Sequence, residues 1–212
     1  DELELTFEIK EFQKRYLTKV NVFGNNITEE KVIRNNLEVD EGDPFNELLL
    51  TKSINNLKSL NIFGKVEYDL VSEADNKKVL NITVTEKPTG EIFASAGAGT
   101  QGSTIGFGIK ENNFLGKNIS LDTNLRLNDE TIKGAFSVIN PNWNYSEKTL
   151  IASIESSVTD RMGDYGYETS QNGFSFGSSW EQYDDLFFSP KVSVFHEKLD
   201  TNQTASDKLK KQ

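Results

Sequence analysis

Between Ile119 and Asn128 the chain alternates with a period of two. Ile119, Leu121, Leu125 and Leu127 fall on one side, with Thr123 among them, and Ser120, Asp122, Asn124, Arg126 and Asn128 fall on the other. Successive strand side chains point to opposite faces, so this segment has one oily face and one wet face. A membrane-crossing strand needs roughly 9–11 residues, an apolar outside and a polar inside, and the segment meets those conditions. Similar alternation predicts seven strands, near residues 91–99, 104–111, 118–128, 131–139, 148–159, 170–181 and 187–197. Their connections alternate in character. Asn112–Gly116, Asn140–Tyr145 and Tyr183–Asp185 are tight or aromatic; Gln101–Ser103, Asn128–Glu130 and Arg161–Tyr167 are polar. Two membrane faces would produce that pattern. Phe114, Trp143, Tyr145 and Trp180 gather at one end, as an interfacial aromatic girdle requires. A soluble two-sheet sandwich with aromatic turns would alternate in the same way; strand length and girdle placement favour the membrane.

Ahead of a hinge at Lys87-Pro88-Thr89-Gly90 the periodicity changes. Leu17–Phe23 reads as a strand with Val20 and Val22 inward, closed by Gly24-Asn25-Asn26. Thr28 is placed to cap a helix carrying Glu29 and Glu30 in its first turn, with Ile27 and Val32 as a hydrophobic staple. That helix buries Val32, Ile33 and Leu37 and breaks at Asp40–Pro44. Arg34 could pair with Glu38 along it. Asn46 caps a second helix whose apolar stripe is Leu50, Ile54 and Leu57, with Phe45 and Leu50 as its staple. Gly64 stands near the expected stop. Val66, Tyr68 and Leu70 form a strand, Glu73–Asn76 a turn, and Leu80, Ile82 and Val84 a returning strand. The unit is therefore α+β, in the order strand, helix, helix, strand, strand. Leu3, Leu5, Phe7 and Ile9 alternate as one further strand, read as the end of a preceding domain. The expected divisions are 1–12, 13–88 and 89–212.

The 212 residues contain no run of roughly 18 or more apolar positions, so no transmembrane helix is predicted. The first residues are Asp1-Glu2 rather than Met, and the polar stretch from Thr201 reads as a loop cut short, so the chain is expected to be a fragment or processed piece. Bacterial barrels start at about eight strands, and an open sheet in lipid would leave backbone groups bare at a cost of several kcal/mol each. Either further strands complete an incomplete barrel, or the membrane reading fails. A net charge of −10 argues against nucleic acid as a partner. There is no cysteine and one histidine, His196 on a strand, so neither a catalytic site nor a metal or cofactor site is expected. Gly97–Gly102 matches a dinucleotide-binding pattern letter for letter, but that motif must open a helix, and Ile105–Ile109 alternates as a strand.

Several short pieces resemble the superfamily of outer-membrane barrels that carry periplasmic POTRA domains. They are Val20–Asn25, Glu41–Phe45, Leu57–Val66, Glu86–Gly90, Gly97–Gly99, Glu111–Lys117 and Val138–Pro141, in family order over nearly the whole chain. The resemblance implies the end of one POTRA domain, all of the last one, and the first strands of a larger barrel. The long match and the Asn-Phe-Leu-Gly turn lean toward the assembly factors that insert barrel proteins into the outer membrane. Secretion and autotransporter-assembly channels share the layout and are the alternative. The implied setting is the outer membrane, with the POTRA part in the periplasm. The implied partners are unfolded outer-membrane proteins, accessory outer-membrane lipoproteins and the lipid bilayer.

The family's mechanism is strand addition, in which the first barrel strand parts from the last and templates an incoming protein. Here Ile92, Ala94, Ala96 and Ala98 would point outward, with Ser95, Gly97 and Gly99 opposite. Small side chains pack weakly, and glycine weakens a strand, so this strand should hold its neighbour less firmly than 118–128 does. Val66, Glu67, Tyr68, Asp69 and Leu70 form a candidate edge strand for pairing with unfolded chains. Glu41 and Asp43, in an exposed acidic turn, are the candidate contacts for an accessory lipoprotein; a solvated helix–helix turn is the plain alternative.

Overall fold

A computed structural model describes residues 13–73, 76–99, 102–206 and 208–211. The strand expected at Leu3–Ile9, and with it the division 1–12, lies outside those residues. By contacts the chain divides into two units, Asp1–Lys87 and Pro88–Gln212.

The first unit runs β1 (Tyr16–Phe23), α1 (Glu30–Arg34), α2 (Glu47–Ser59), β2 (Phe63–Ser72) and β3 (Lys77–Glu86). Its sheet has the order β1-β3-β2, with β3 parallel to β1 and antiparallel to β2. The helices cover one face. Leu50, Ile54 and Leu57 of α2, Ile33 of α1, Leu17 and Val20 of β1, and Leu80, Ile82 and Val84 of β3 form one buried cluster. Burying side chains of this size stabilises by about 1.5–3 kcal/mol each before chain entropy is counted. Ser53 sits inside this helix face with both hydrogen-bonding needs met. Its hydroxyl donates to the Leu49 carbonyl at 2.8 Å and accepts from the Glu38 amide at 2.7 Å.

Asn46 caps α2 as its position predicts, its Oδ1 accepting from the amides of Leu48 at 2.9 Å and Leu49 at 3.4 Å. The first helix differs from expectation. It has a single turn and a half, its cap is Glu29, and of its residues only Ile33 is buried. Val32 and Leu37 are half-buried against the core, and Ile27 is exposed rather than stapled. Thr28 is engaged elsewhere, as described below. The stop of α2 is also one element earlier than predicted. Asn61 takes the left-handed conformation at φ 57°, whereas Gly64 is already within β2. Gly24 ends β1 at φ 86°, and a Cβ there would collide with the Val84 carbonyl.

The second unit is an antiparallel meander: β4 (Gly90–Gly99), β5 (Gly102–Phe114), β6 (Ile119–Asn128), β7 (Thr131–Asn140), β8 (Thr149–Arg161), β9 (Tyr167–Tyr183), β10 (Leu186–Phe188) and β11 (Lys191–Thr201). The sheet order is β10-β9-β8-β7-β6-β5-β4, and β11 also pairs with β9. The predicted seventh strand is thus two. Ser189-Pro190 interrupts it because proline has no N–H to give the ladder; the Ser178 amide instead donates to the Pro190 carbonyl at 3.1 Å. Gly97–Gly99 closes β4, and Gly102 opens β5 rather than a helix.

Register carries the alternation across strands. Ile92, Ile109, Thr123, Phe136, Ile154, Phe174 and Val194 line up in one transverse row. On the opposite face Lys110, Asp122, Ser137, Ser153, Ser175 and Ser193 do the same. The apolar row is open: Ile92 is 85% exposed, Ile109 58%, Phe174 51% and Val194 66%. No second sheet covers it among the described residues, which removes the sandwich alternative. An apolar band this wide with a polar reverse side is the surface of a lipid-facing barrel wall.

Candidate functional site: two strand edges

β4 is the last strand of its sheet and, among the described residues, pairs only with β5. Its sequence leaves little to hold it. Every residue of β4 is exposed, and a Cβ added at Gly97 or Gly99 would meet nothing within 4 Å. Ile92, Ala94, Ala96 and Ala98 share the apolar face with Ile109, Phe107 and Ile105 of β5. Phe93 falls on the polar face with Ser95, Gly97 and Gly99. No sequence expectation singled it out.

The base of β4 is built by a long-range pair. The Thr89 hydroxyl donates to Glu111 Oε1 at 2.5 Å, and that oxygen also accepts the Asn113 amide at 2.7 Å. Asn113 is nearly buried, and its Oδ1 accepts the Asn118 amide at 2.8 Å. Leu115, Gly116 and Asn118 all take positive φ in the turn this closes, and Leu115 projects at its tip, 69% exposed. Phe114, Trp143 and Trp180 lie at this same end of the sheet, which also holds the start of β4. Phe188 packs edge-on to Trp180 with ring centroids 5.0 Å apart, and Lys148 Nζ lies 5.4 Å over the Trp180 ring. The aromatic end foreseen from the turns is therefore assembled around Phe114, Trp143 and Trp180. Phe188 joins it.

In the first unit β2 is one edge of the sheet and β1 the other. The two edges differ. The outer side of β1 is covered by the chain's own groups: the Leu17 amide donates to the Asp43 carbonyl, the Gly42 amide to the Leu17 carbonyl and the Phe45 amide to the Arg15 carbonyl. At Val20 the amide donates to Glu41 Oε1 at 2.9 Å, and the carbonyl accepts from Arg34 Nη2 at 2.8 Å. β2 pairs only with β3 among the described residues. Along it Val66 is buried and Leu70 half-buried, while Glu67, Tyr68 and Asp69 are exposed.

That arrangement alters the picture of the acidic turn. Glu41 is not a free surface carboxylate. It holds the Val20 amide and lies 3.6 Å from Arg34 Nη1. Arg34 pairs with Glu30 at 2.7 Å, not with Glu38, whose carboxylate takes Lys52 at 3.0 Å. Asp43 Oδ2 accepts the Asp40 amide at 3.1 Å within its own turn.

Glu86, beside the hinge, does structural work that local sequence does not reveal. Its carboxylate accepts the amides of Asn26 at 3.0 Å, Ile27 at 3.0 Å and Thr28 at 2.6 Å. Burial pushes its pKa up, but the Thr28, Ile27 and Asn26 hydrogen bonds outweigh that and hold it below the ordinary value. This clip, rather than a Thr28 cap, fixes the entry to α1.

Comparison with known proteins agrees with this geometry. Residues 15–87 match the POTRA family, described as a surface antigen variable number repeat. The chain is 28% identical over 142 residues to the outer membrane protein assembly factor BamA of Neisseria meningitidis serogroup B, covering 66% of this chain and 18% of that one. It is 30% identical over 118 residues to BamA of Nitratidesulfovibrio vulgaris, covering 54% and 15%. Among solved structures, BamA from Haemophilus ducreyi lacking POTRA domains 1-3 superposes with a TM-score of 0.77 at 21% identity, over 90% of this chain and 37% of that one. CdiB from Escherichia coli gives 0.62 at 12% identity, over 90% and 39%. The chain thus spans about a fifth of the length of the curated relatives it matches.

The chain joins a POTRA-family domain, residues 15–87, to an antiparallel sheet of barrel-like strands. The chain is similar to BamA proteins over the stretch that runs from the POTRA domain into the strands that follow it.

Proposed function

We propose that this chain is the working end of an outer-membrane protein assembly factor. It promotes the folding and insertion of other β-barrel proteins by offering strand edges, with no bond-making chemistry. The observation that carries this reading is β4, an edge strand whose sister residues are alanine and glycine and whose outer backbone groups have no partner strand among the described residues. Such an edge recruits an extended segment through main-chain hydrogen bonds. Ile92, Ala94, Ala96, Gly97, Ala98 and Gly99 present that edge. Small side chains let an incoming strand approach and later leave.

The POTRA unit serves as an upstream receiver. Its β2 edge, Val66 to Leu70, takes client segments, because β1 is already covered from Arg15 to Val20. An accessory outer-membrane lipoprotein docks at the turn of Glu41 and Asp43, against a surface whose carboxylates are already oriented by Arg34 and the turn amides. The barrel strands lie in the outer membrane and the POTRA unit in the periplasm. A second reading, a secretion or autotransporter-assembly channel, is favoured only by the likeness to CdiB, whose TM-score is the lower.

The test is reconstitution of the intact protein in liposomes, with the folding rate of an unrelated outer-membrane barrel as readout. Acceleration supports the assembly factor. No acceleration, with or without accessory lipoproteins, together with a conducting pore, supports the channel.

A further inference from the structure

On the polar face of the second unit one transverse row begins at Phe93 opposite Gly108, passes through Asn124, Ala135 and Glu155, and ends at Gly173 opposite Phe195. Both outer members of the row are phenylalanines, and both lie on a glycine of the next strand inward. A Cβ at Gly108 would lie 2.0 Å from Cζ of the Phe93 ring. A Cβ at Gly173 would lie 2.5 Å from Cδ1 and Cε1 of Phe195. Each ring therefore occupies the space that any other residue's side chain would need. Glycine in a strand interior commonly marks such a close approach, and an aromatic over it recovers the packing that glycine forfeits.

On β4 this matters more than elsewhere. Gly-rich strands with small side chains specify register weakly, and a slip by two residues leaves the faces unchanged. Past Ser95, which covers Gly106, the polar face of β4 offers only Gly97 and Gly99, and neither approaches a neighbour. Beyond Glu91 at its start, Phe93 is thus the only large side chain β4 places on that face. A slip of two residues in one direction would set it against Lys110, which has a side chain in the way. A slip of two residues in the other direction carries Ser95 along to Thr104 and sets Phe93 on Gly106, a second glycine, so the ring bars only the first slip.

We propose that Phe93 is a one-way register pin of the client-pairing strand: seated on Gly108, it bars the slip of β4 that would set its ring against Lys110, while the Gly97–Gly99 half stays loose. The inference rests on the reading of β4 as the templating strand and adds a positioning residue to it. A template in two registers would offer a client two offsets; the pin removes the one toward Lys110.

The absence of cysteine from this chain makes disulfide mapping direct. In the intact protein in outer-membrane vesicles, the pair Ala96→Cys and Ile105→Cys reports the observed register. The pairs Ala96→Cys with Ser103→Cys, and Ala96→Cys with Phe107→Cys, report slips of two. The expected result with Phe93 or Phe93→Tyr is that the first pair closes efficiently and the pair with Phe107→Cys, which reports the slip toward Lys110, does not. Phe93→Ala should raise the pair with Phe107→Cys at least fivefold, and Gly108→Ser with Phe93 kept, which unseats the ring toward Gly106, should raise the pair with Ser103→Cys as much. If Phe93→Ala reduces insertion, Gly108→Ser still decides. A single register in both variants overturns the pin. Client folding, scored in parallel, separates the two readings: a slipped register with undiminished assembly keeps the pin and removes templating, and a single register with β4-dependent assembly does the reverse.

Discussion

Removing the Glu86 carboxylate should loosen the entry to α1 by an amount the structure sets. Three backbone amides lose their acceptor, those of Asn26, Ile27 and Thr28. Asn26 and Ile27 are exposed, so water replaces the carboxylate there at little cost. Thr28 is 2% exposed, and its 2.6 Å bond is the shortest of the set. A hydrogen bond to a charged partner contributes about 1.5–3 kcal/mol, and an unsatisfied buried amide costs about 1–3 kcal/mol. The expected loss for Glu86→Ala is therefore about 2 kcal/mol. That corresponds to roughly 30-fold faster amide exchange in a segment that opens locally. Hydrogen-exchange mass spectrometry on the intact protein reads it in peptides covering residues 24–33. The pH dependence has a definite sign. A carboxylate whose folded pKa lies below its ordinary value of 4.5 stabilises fully above that value, and the contribution is lost as pH falls through the lower, folded pKa. Protection of residues 26–28 in the native protein should thus fall in acid below about pH 4.5, and Glu86→Gln should lack that part of the fall. Exchange within threefold of native for Glu86→Ala, or the same acid sensitivity for Glu86→Gln, would refute the clip.

Three other outcomes follow from the same geometry. Replacing Gly97 and Gly99 by valine meets open space and should stabilise β4 by about 0.5–1 kcal/mol per site. Heat-modifiability on gels should rise while client folding slows; unchanged client folding in a stiffened strand would contradict the role given to its softness. Asn113→Ala leaves the Asn118 amide without its 2.8 Å acceptor and should destabilise the Phe114–Asn118 turn by about 1–2 kcal/mol, read as faster exchange at residues 112–119. Leu57→Ala opens a cavity in a fully buried core and should cost the POTRA unit about 2–5 kcal/mol, seen as protease cleavage within residues 13–87 while the barrel strands stay protected.

Much of this architecture was legible because it is periodic. The alternation of Ile119–Asn128 gives β6 and its lipid face directly, since period two is a property of any strand. The stripe Leu50, Ile54 and Leu57 with Asn46 before it gives α2 and its cap, both local signals. What escaped was decided at long range. Thr28 looks like a helix cap in isolation, and only a carboxylate nearly sixty positions away claims its amide. Asn61 rather than Gly64 stops α2, because asparagine also tolerates the left-handed region and stands closer to the helix end. Alternation alone runs the seventh strand across Pro190, whose missing amide breaks the ladder. The site was half legible. The small residues of β4 stood out, but their value depends on β4 being a sheet edge. Phe93 and Gly108 are fifteen positions apart and gain meaning only through register. Glu41 looked solvated because its partners, Val20 and Arg34, are set by the fold.

The central claim is that the outer edge of β4 pairs with incoming strands, and site-specific crosslinking tests it most directly. Single cysteines placed in turn from Ile92 to Gly99 would be challenged with a client barrel stalled during assembly and carrying cysteines along its terminal strand. The account predicts disulfides that follow a two-residue period with one constant offset between the chains. Crosslinks spread without period, or confined to the lumen-facing residues of β6 to β9, would contradict strand pairing and favour a client that travels through the barrel.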